Sequence, residues 1–205
     1  MVKVALTGGL ATGKTYCLAR FASLGAPVID ADRLARDAVA PGSPGLAALL
    51  ARFGRGTLTP DGTLDRTRLA ARVFADPGAR RDLEAIIHPI VYQGIMDWSG
   101  GLEAAGEPIG IADVPLLYET GHAASFDRVV VAACPAEMQV QRLAVRNDLG
   151  EADARRRLAA QWPIDEKRRA ADYVIDTSGT LADTDRQVEE TMRRLRTLAG
   201  SDSKD

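Results

Sequence analysis

The sequence predicts an α/β protein in which helices alternate with short buried strands, and three observations predict it. The apolar run from Val2 to Leu6 leads directly into Gly8-Gly9-Leu10-Ala11-Thr12-Gly13-Lys14-Thr15, which fits the P-loop pattern G-x-x-x-x-G-K-[ST]. A helical pattern from Thr15 to Leu24 follows at once, so strand, Gly-rich loop and helix stand in the order that this pattern needs. Further short apolar runs then recur along the chain, several of them ending in a carboxylate, as strands of an open α/β sheet do at a ligand crevice.

The chemistry of the loop is specific. Successive backbone N–H groups and the start of a helix form a concave anion site. Gly8 and Gly13 allow backbone angles and close approach that a side chain would block. Lys14 can reach the β- and γ-phosphates as a point charge, and the Thr15 hydroxyl can hold Mg²⁺, which keeps waters and substrate oxygens among its ligands.

Composition narrows the partners. The 205 residues allow one sizeable core with room for inserted subdomains. A net charge of −2 argues against a nucleic-acid coat or an anionic membrane surface, so phosphate binding must be local. Cys17 and Cys134 are far apart with no C-x-x-C spacing and read as reduced core residues of a cytoplasmic protein. No leader pattern and no run long enough to span a bilayer is expected.

After the loop helix, Val28 and Ile29 read as a short strand with Asp30 and Asp32 at its end, near the phosphate site. One carboxylate could accept a proton from a hydroxyl nucleophile and the other hold Mg²⁺ through water. Either could also cap a helix beginning at Arg33. Residues 33–105 lack a clear buried strand and read as helices, with turns at Pro41–Gly45, Pro60–Gly62 and Asp76–Gly78. His88-Pro89 predicts a break, with His88 extended and Pro89 opening a helix from Ile90 to Ala105. Trp98 on that helix reads as core.

Pro108 to Pro115 returns to the sheet, and Asp113 ends the run as the carboxylate of a Walker B strand does, a metal- or water-positioning place. Asp127 to Ala133 reads as a fourth strand. Arg142 and Arg146 are four residues apart and share a helix face, where arginines can stabilise a transferring phosphoryl group. Asp148-Leu149-Gly150 suggests a hinge before a second basic helix, a mobile lid that would exclude water. Arg155 and Arg156 read instead as solvated and paired with Glu151, Asp153 and Glu166. Asp172 to Asp176 is a fifth strand, Asp183 to Leu198 an amphipathic helix, and the polar tail from Gly200 is expected to fray.

From the P-loop, the paired carboxylates and the basic lid, the expected activity is ATP-dependent phosphoryl transfer, with a nucleotide-binding regulatory module as the alternative. The acceptor does not follow from these residues. The ordered set Leu6-Thr7-Gly8-Gly9 with the P-loop, Val28–Asp32, His88-Pro89, Val114–Glu119, Gln141-Arg142 with Arg146, Arg157–Gln161, Glu166–Arg168 and Ala171–Asp176 resembles the dephospho-CoA kinase family. The resemblance implies a three-layer P-loop kinase fold with a five-stranded parallel sheet, and transfer from ATP to the ribose 3′-hydroxyl of dephospho-CoA. It implies a core at about 1–32, 106–146 and 168–200, a helical CoA-binding insertion at about 33–105 and a lid at about 147–167.

Residue by residue, the same likeness implies Asp32, Lys14 and Arg142 as catalytic, with Asp32 the general base. Gly9, Ala11, Thr12, Gly13, Lys14, Thr15, Tyr16, Arg142 and Arg146 would contact ATP. Asp30, His88, Leu116 and Glu119 would meet the acceptor, Arg157 and Gln161 belong to the lid, and Thr15, Asp30 and Asp113 would serve Mg²⁺. The small-molecule substrates are ATP and dephospho-CoA, and the expected state is a monomer or weak homo-oligomer. Three positions depart from the family pattern. Ala11 replaces a usual Gly, so a positive φ there would be strained; Tyr16 replaces a small hydroxyl residue; Thr177 replaces an Asn.

Overall fold

The computed structural model describes residues 1–201. Five strands form one sheet in the order β2-β3-β1-β4-β5. They are β1 (Val2–Gly8), β2 (Val28–Asp30), β3 (Ile109–Asp113), β4 (Arg128–Ala133) and β5 (Tyr173–Asp176). β1 is central and pairs in parallel with β3, Val2 opposite Ile109 and Leu6 opposite Asp113. On its other side it pairs in parallel with β4, Val4 opposite Arg128 and Gly8 opposite Ala132. The chain leaves β1 toward β2 and returns through β3 to β4, so the direction of winding reverses around β1. That reversal opens the crevice at the carboxyl ends of the strands where α/β folds bind ligands.

β3 is buried at every residue and β1 at all but Lys3, which is why both read as near-continuous apolar runs. Cys17 and Phe21 of α1 (Lys14–Ser23) and Val188, Met192 and Leu195 of α9 (Leu181–Ser201) share one apolar cluster with the strand residues Val4, Leu6, Ile111, Val130 and Ile175. A second, smaller cluster joins Val140 and Leu143 of α6 (Ala136–Asn147) to Ala154 of α7 (Glu151–Leu158), with Leu10 of the P-loop against it. Short helix α8 (Ile164–Ala170) packs on β4. The helix expected to stop at Leu198 runs on to Ser201, and the rest of the polar tail lies outside the described residues.

By Cα packing the chain divides into two units. One holds Met1–Ile29 and the chain from Ser99 onward; the other is Asp30–Trp98. The second unit is helical: α2 (Ala31–Asp37), α3 (Pro44–Phe53), α4 (Arg66–Ala75) and most of α5 (Pro77–Ala104). Its core gathers Val39, Leu49, Phe53, Leu69 and Ala79, with Leu83, Ile86 and Ile87 against them.

One expectation fails here. His88-Pro89 does not break the chain; α5 runs through Pro89 as one helix. An interior proline costs a helix about 3 kcal/mol by removing a donor and crowding the preceding turn. Packing overrides that cost. Ile86 and Ile87 lie against the core before Pro89, and Val91 and Ile95 are buried after it, at a spacing that keeps them on one helical face. Pro89 itself is exposed.

Candidate active site

The P-loop joins β1 to α1, and its backbone is tightly specified. A Cβ at Gly8 would stand 2.5 Å from the Ala132 carbonyl oxygen of β4 and 2.7 Å from Thr12 Oγ1, so only glycine fits. A Cβ at Gly9 would stand 2.4 Å from Gln139 Oε1. Gly13 has φ 78° and immediately precedes the first residue of α1, a backbone that glycine adopts without cost. Ala11 sits at φ 58°, the strained left-handed conformation expected at that position.

Side chains from distant parts of the first unit then hold the loop. Thr177, just past β5, is within hydrogen-bond distance of the Thr12 carbonyl (2.7 Å) and the Ala133 carbonyl (3.1 Å) through its hydroxyl. Gln161 Oε1 accepts from the Leu10 N–H at 3.1 Å. Lys167 Nζ lies 3.3 Å from the Gly8 carbonyl oxygen. The Tyr16 N–H (3.0 Å) and Cys17 N–H (3.2 Å) close the first turn of α1 on the Gly13 carbonyl, while the N–H groups of Lys14 and Thr15 precede the first intrahelical bond and lie at the positive end of the helix dipole.

Lys14 pairs with Asp113, which the Leu6–Asp113 register sets beside the end of β1. Both side chains are largely buried, at 14% and 7% exposure. Thr15, next to Lys14, is exposed. Tyr16 donates its hydroxyl to Asp185 of α9 at 2.9 Å, which turns it toward that helix.

Arg142 of α6 points inward. Its Nη2 donates to the Thr177 carbonyl at 2.9 Å and its Nη1 lies 3.6 Å from Cys134 Sγ. Burial pushes the Cys134 thiol up, against the opposing pull of Arg142. Arg146, a turn later, is exposed and bonds Asn147 at 3.0 Å. Arg157 is also exposed. Arg155 and Arg156 pair with Glu151 and Asp153 as expected, but the third partner is Glu137 of α6 rather than Glu166.

After β3, half-buried Leu116 leads to Glu119. Glu119 Oε1 meets Lys167 Nζ at 2.7 Å and accepts the Trp162 N–H at 2.9 Å. Trp162 stacks on Tyr118, ring centroids 5.6 Å apart and planes at 9°. The structure thus brings together the P-loop, Asp113, Arg142, Glu119 and Gln161. Asp30, Asp32 and His88 belong to the second unit. Asp30 caps α2, its Oδ1 accepting from the N–H of Asp32 (2.8 Å) and of Arg33 (3.4 Å). The helix therefore begins at Ala31 rather than Arg33, and the Asp32 carboxylate is left exposed on its first turn. His88 is half-buried within α5.

Sequence reasoning missed Lys167 and Thr177 as supports of the loop, and Gln139 as the side chain that leaves no room for a Cβ at Gly9. For Lys167 a signal existed. Ile164 and Lys167 are three apart just after Pro163, so a helix starting there puts both on one face, and Ile164 is apolar. For Gln139 and Thr177 nothing local points to the loop.

A parallel sheet, a P-loop opening α1 and a carboxylate ending the neighbouring strand define a P-loop kinase fold. The particular family follows from comparison. A profile described as Dephospho-CoA kinase matches residues 2–183. The dephospho-CoA kinase of Anaeromyxobacter dehalogenans (strain 2CP-C) is 52% identical over 176 residues, which is 86% of this chain and 83% of that protein. The solved structure of dephospho-CoA kinase from Campylobacter jejuni superposes with a TM-score of 0.73 at 25% identity, over 95% of this chain and 97% of that one. TT1252 from Thermus thermophilus gives a TM-score of 0.79 at 32% identity, over 95% and 97%. The chain belongs to the dephospho-CoA kinase family and is a kinase.

Proposed function

We propose that the chain transfers the γ-phosphoryl group of ATP to the ribose 3′-hydroxyl of dephospho-CoA, giving CoA and ADP, the last step of coenzyme A synthesis. Family membership supports the acceptor. The observation that carries the transfer chemistry is the P-loop itself, braced by Thr177, Gln161 and Lys167, with Lys14 beside the helix start.

In this reading Gly9, Ala11, Thr12, Gly13, Lys14, Thr15 and Tyr16 contact ATP, backbone N–H groups of the loop bind its phosphates, and Lys14 exchanges Asp113 for the β- and γ-oxygens. Arg142 and Arg146 stabilise charge on the transferred group. Asp32 takes the proton of the attacking hydroxyl, since its carboxylate is exposed whereas Asp30 is engaged as a cap. His88, Leu116 and Glu119 contact the acceptor; residues 33–105 form its domain, and 147–167 a lid carrying Arg157 and Gln161. Thr15 and Asp113, with Asp30, offer the hydroxyl and carboxylate oxygens that suit Mg²⁺, which binds through one or two carboxylates plus substrate phosphates. Mg²⁺ bound with ATP would offset charge on the phosphates. No helix of the described residues is long and apolar enough to cross a membrane. A cytoplasmic monomer or weak homo-oligomer, acting on small molecules and not on nucleic acid, accords with this reading.

The test is ADP release with Mg·ATP and dephospho-CoA, AMP, CMP, dTMP, adenosine or no acceptor. Rapid turnover with dephospho-CoA alone, with CoA as product, is expected; turnover with a nucleotide instead overturns the acceptor. Asp32→Asn should keep ATP affinity and lower kcat by about 10²- to 10⁴-fold. A near-normal kcat removes Asp32 from the base role.

A further inference from the structure

Lys167 has no exposed side-chain surface, an expensive place for an ammonium unless its charge is matched. It is matched by Glu119, 2.7 Å away, and it also lies 3.3 Å from the Gly8 carbonyl at the head of the P-loop. Glu119 Oε1 is held a second time by the Trp162 N–H. Its other oxygen, Oε2, is buried with no hydrogen-bond partner. A carboxylate oxygen shielded from water and lacking a donor is costly, so the site is arranged for a donor that comes from elsewhere.

We propose that Lys167 is a positioning residue for the acceptor. By fixing Oε1 it turns Oε2 toward a hydroxyl or amide N–H of dephospho-CoA, and by the same ammonium it ties that carboxylate to Gly8. The acceptor contact and the phosphate loop therefore share one anchor. Two neighbours restrict Glu119 to this orientation. Trp162, whose ring stacks on Tyr118, holds its Oε1 through the backbone N–H from the segment before α8, and Gln161 fastens the same segment to Leu10 of the loop. The proposal rests on the reading above that Glu119 meets the acceptor; it adds which residue sets the carboxylate and how that residue is coupled to the ATP side.

A double-mutant cycle on the full chain tests it, using wild type, Glu119→Gln, Lys167→Met and the double variant. The readouts are kcat, KM for dephospho-CoA and KM for ATP, with thermal midpoints alongside. Glu119→Gln retains an oxygen for Lys167 and Trp162 and loses only the charged second acceptor. Each single substitution should raise KM for dephospho-CoA by about 30-fold or more, as truncating one member of a buried charge pair does, and by more than it raises KM for ATP. If Lys167 acts through Glu119, the double variant stays within about 3-fold of the worse single one. Multiplying effects, or a loss confined to KM for ATP or to the thermal midpoint, overturn the proposal. Should Lys167→Met not fold, the double variant, which removes both charges, is compared with Glu119→Gln. Equal acceptor KM supports the coupling, and a further tenfold loss (about 1.4 kcal/mol) overturns it. A wild type that prefers another acceptor overturns the acceptor reading alone, and the cycle is then scored on that acceptor.

Discussion

Two charge clusters lie close in sequence and differ in nearly every physical respect. On α7, Arg155 reaches Glu137 at 2.6 Å and Glu151 at 2.8 Å, all three side chains at least 47% exposed. Near α8, Lys167 and Glu119 meet at 2.7 Å with exposures of 0% and 16%. The distances barely differ. What differs is the alternative available to each charge when its partner is removed. An exposed guanidinium is rehydrated, so its pairing adds little. A buried ammonium or carboxylate left alone has no water to replace its partner. Burial, not contact distance, therefore separates a charge that decorates a surface from one that fixes a geometry.

Four substitutions or conditions sharpen or break that comparison. Lys167→Met should have the largest effect, lowering stability by about 3–5 kcal/mol because Glu119 is left unpaired; equilibrium denaturation measures it, and a loss below about 1 kcal/mol would place the pair in the surface class. Gly8→Ala acts on the other partner of Lys167. Its Cβ would meet the Ala132 carbonyl at 2.5 Å, so the loop or β4 must shift. A cost of about 1–3 kcal/mol and weaker ATP binding by calorimetry are expected.

Cys17 tests burial without a partner charge. Burial pushes its thiol up to about 12. Above the unfolded value of about 8.5 the unfolded chain gives up this proton and the folded chain keeps it. Stability from this group is thus complete below about pH 8.5 and falls by up to about 1.4 kcal/mol per pH unit from there toward pH 12. Cys17→Ala should flatten that alkaline limb in melts taken across pH 8–11, and an unchanged slope would assign the limb to other groups. Arg155→Ala should have the smallest effect, leaving the thermal midpoint and kcat within experimental scatter at physiological salt. A marked loss of either would mean that the α7 cluster holds the lid.

The elements were legible where pattern and chemistry coincide. The P-loop and its flanking strand and helix appear as read, because the glycines, the lysine and the apolar run are required at fixed spacing. The arginine pairs of α7 were legible too, since i,i+3 and i,i+4 neighbours meet on any helix. Strain at Ala11 was legible through the family resemblance, which puts a glycine at that position. His88-Pro89 was not. Local preference argues for a break there, but apolar residues on both sides of Pro89 keep one helix face buried, and that packing is invisible to a dipeptide.

By itself, then, the sequence determined the alternation of strands and helices, the anion-binding loop and the family, because each is encoded in residues close together or in a strict order. Only the tertiary structure decided that Gln161, Lys167 and Thr177 converge on that loop from more than 150 residues away, that Glu119 is held by one oxygen and not the other, and that Asp113 sits beside Lys14. Those choices depend on strand order and on which side chains lose their water. No local pattern carries either, since both arise only when distant segments pack.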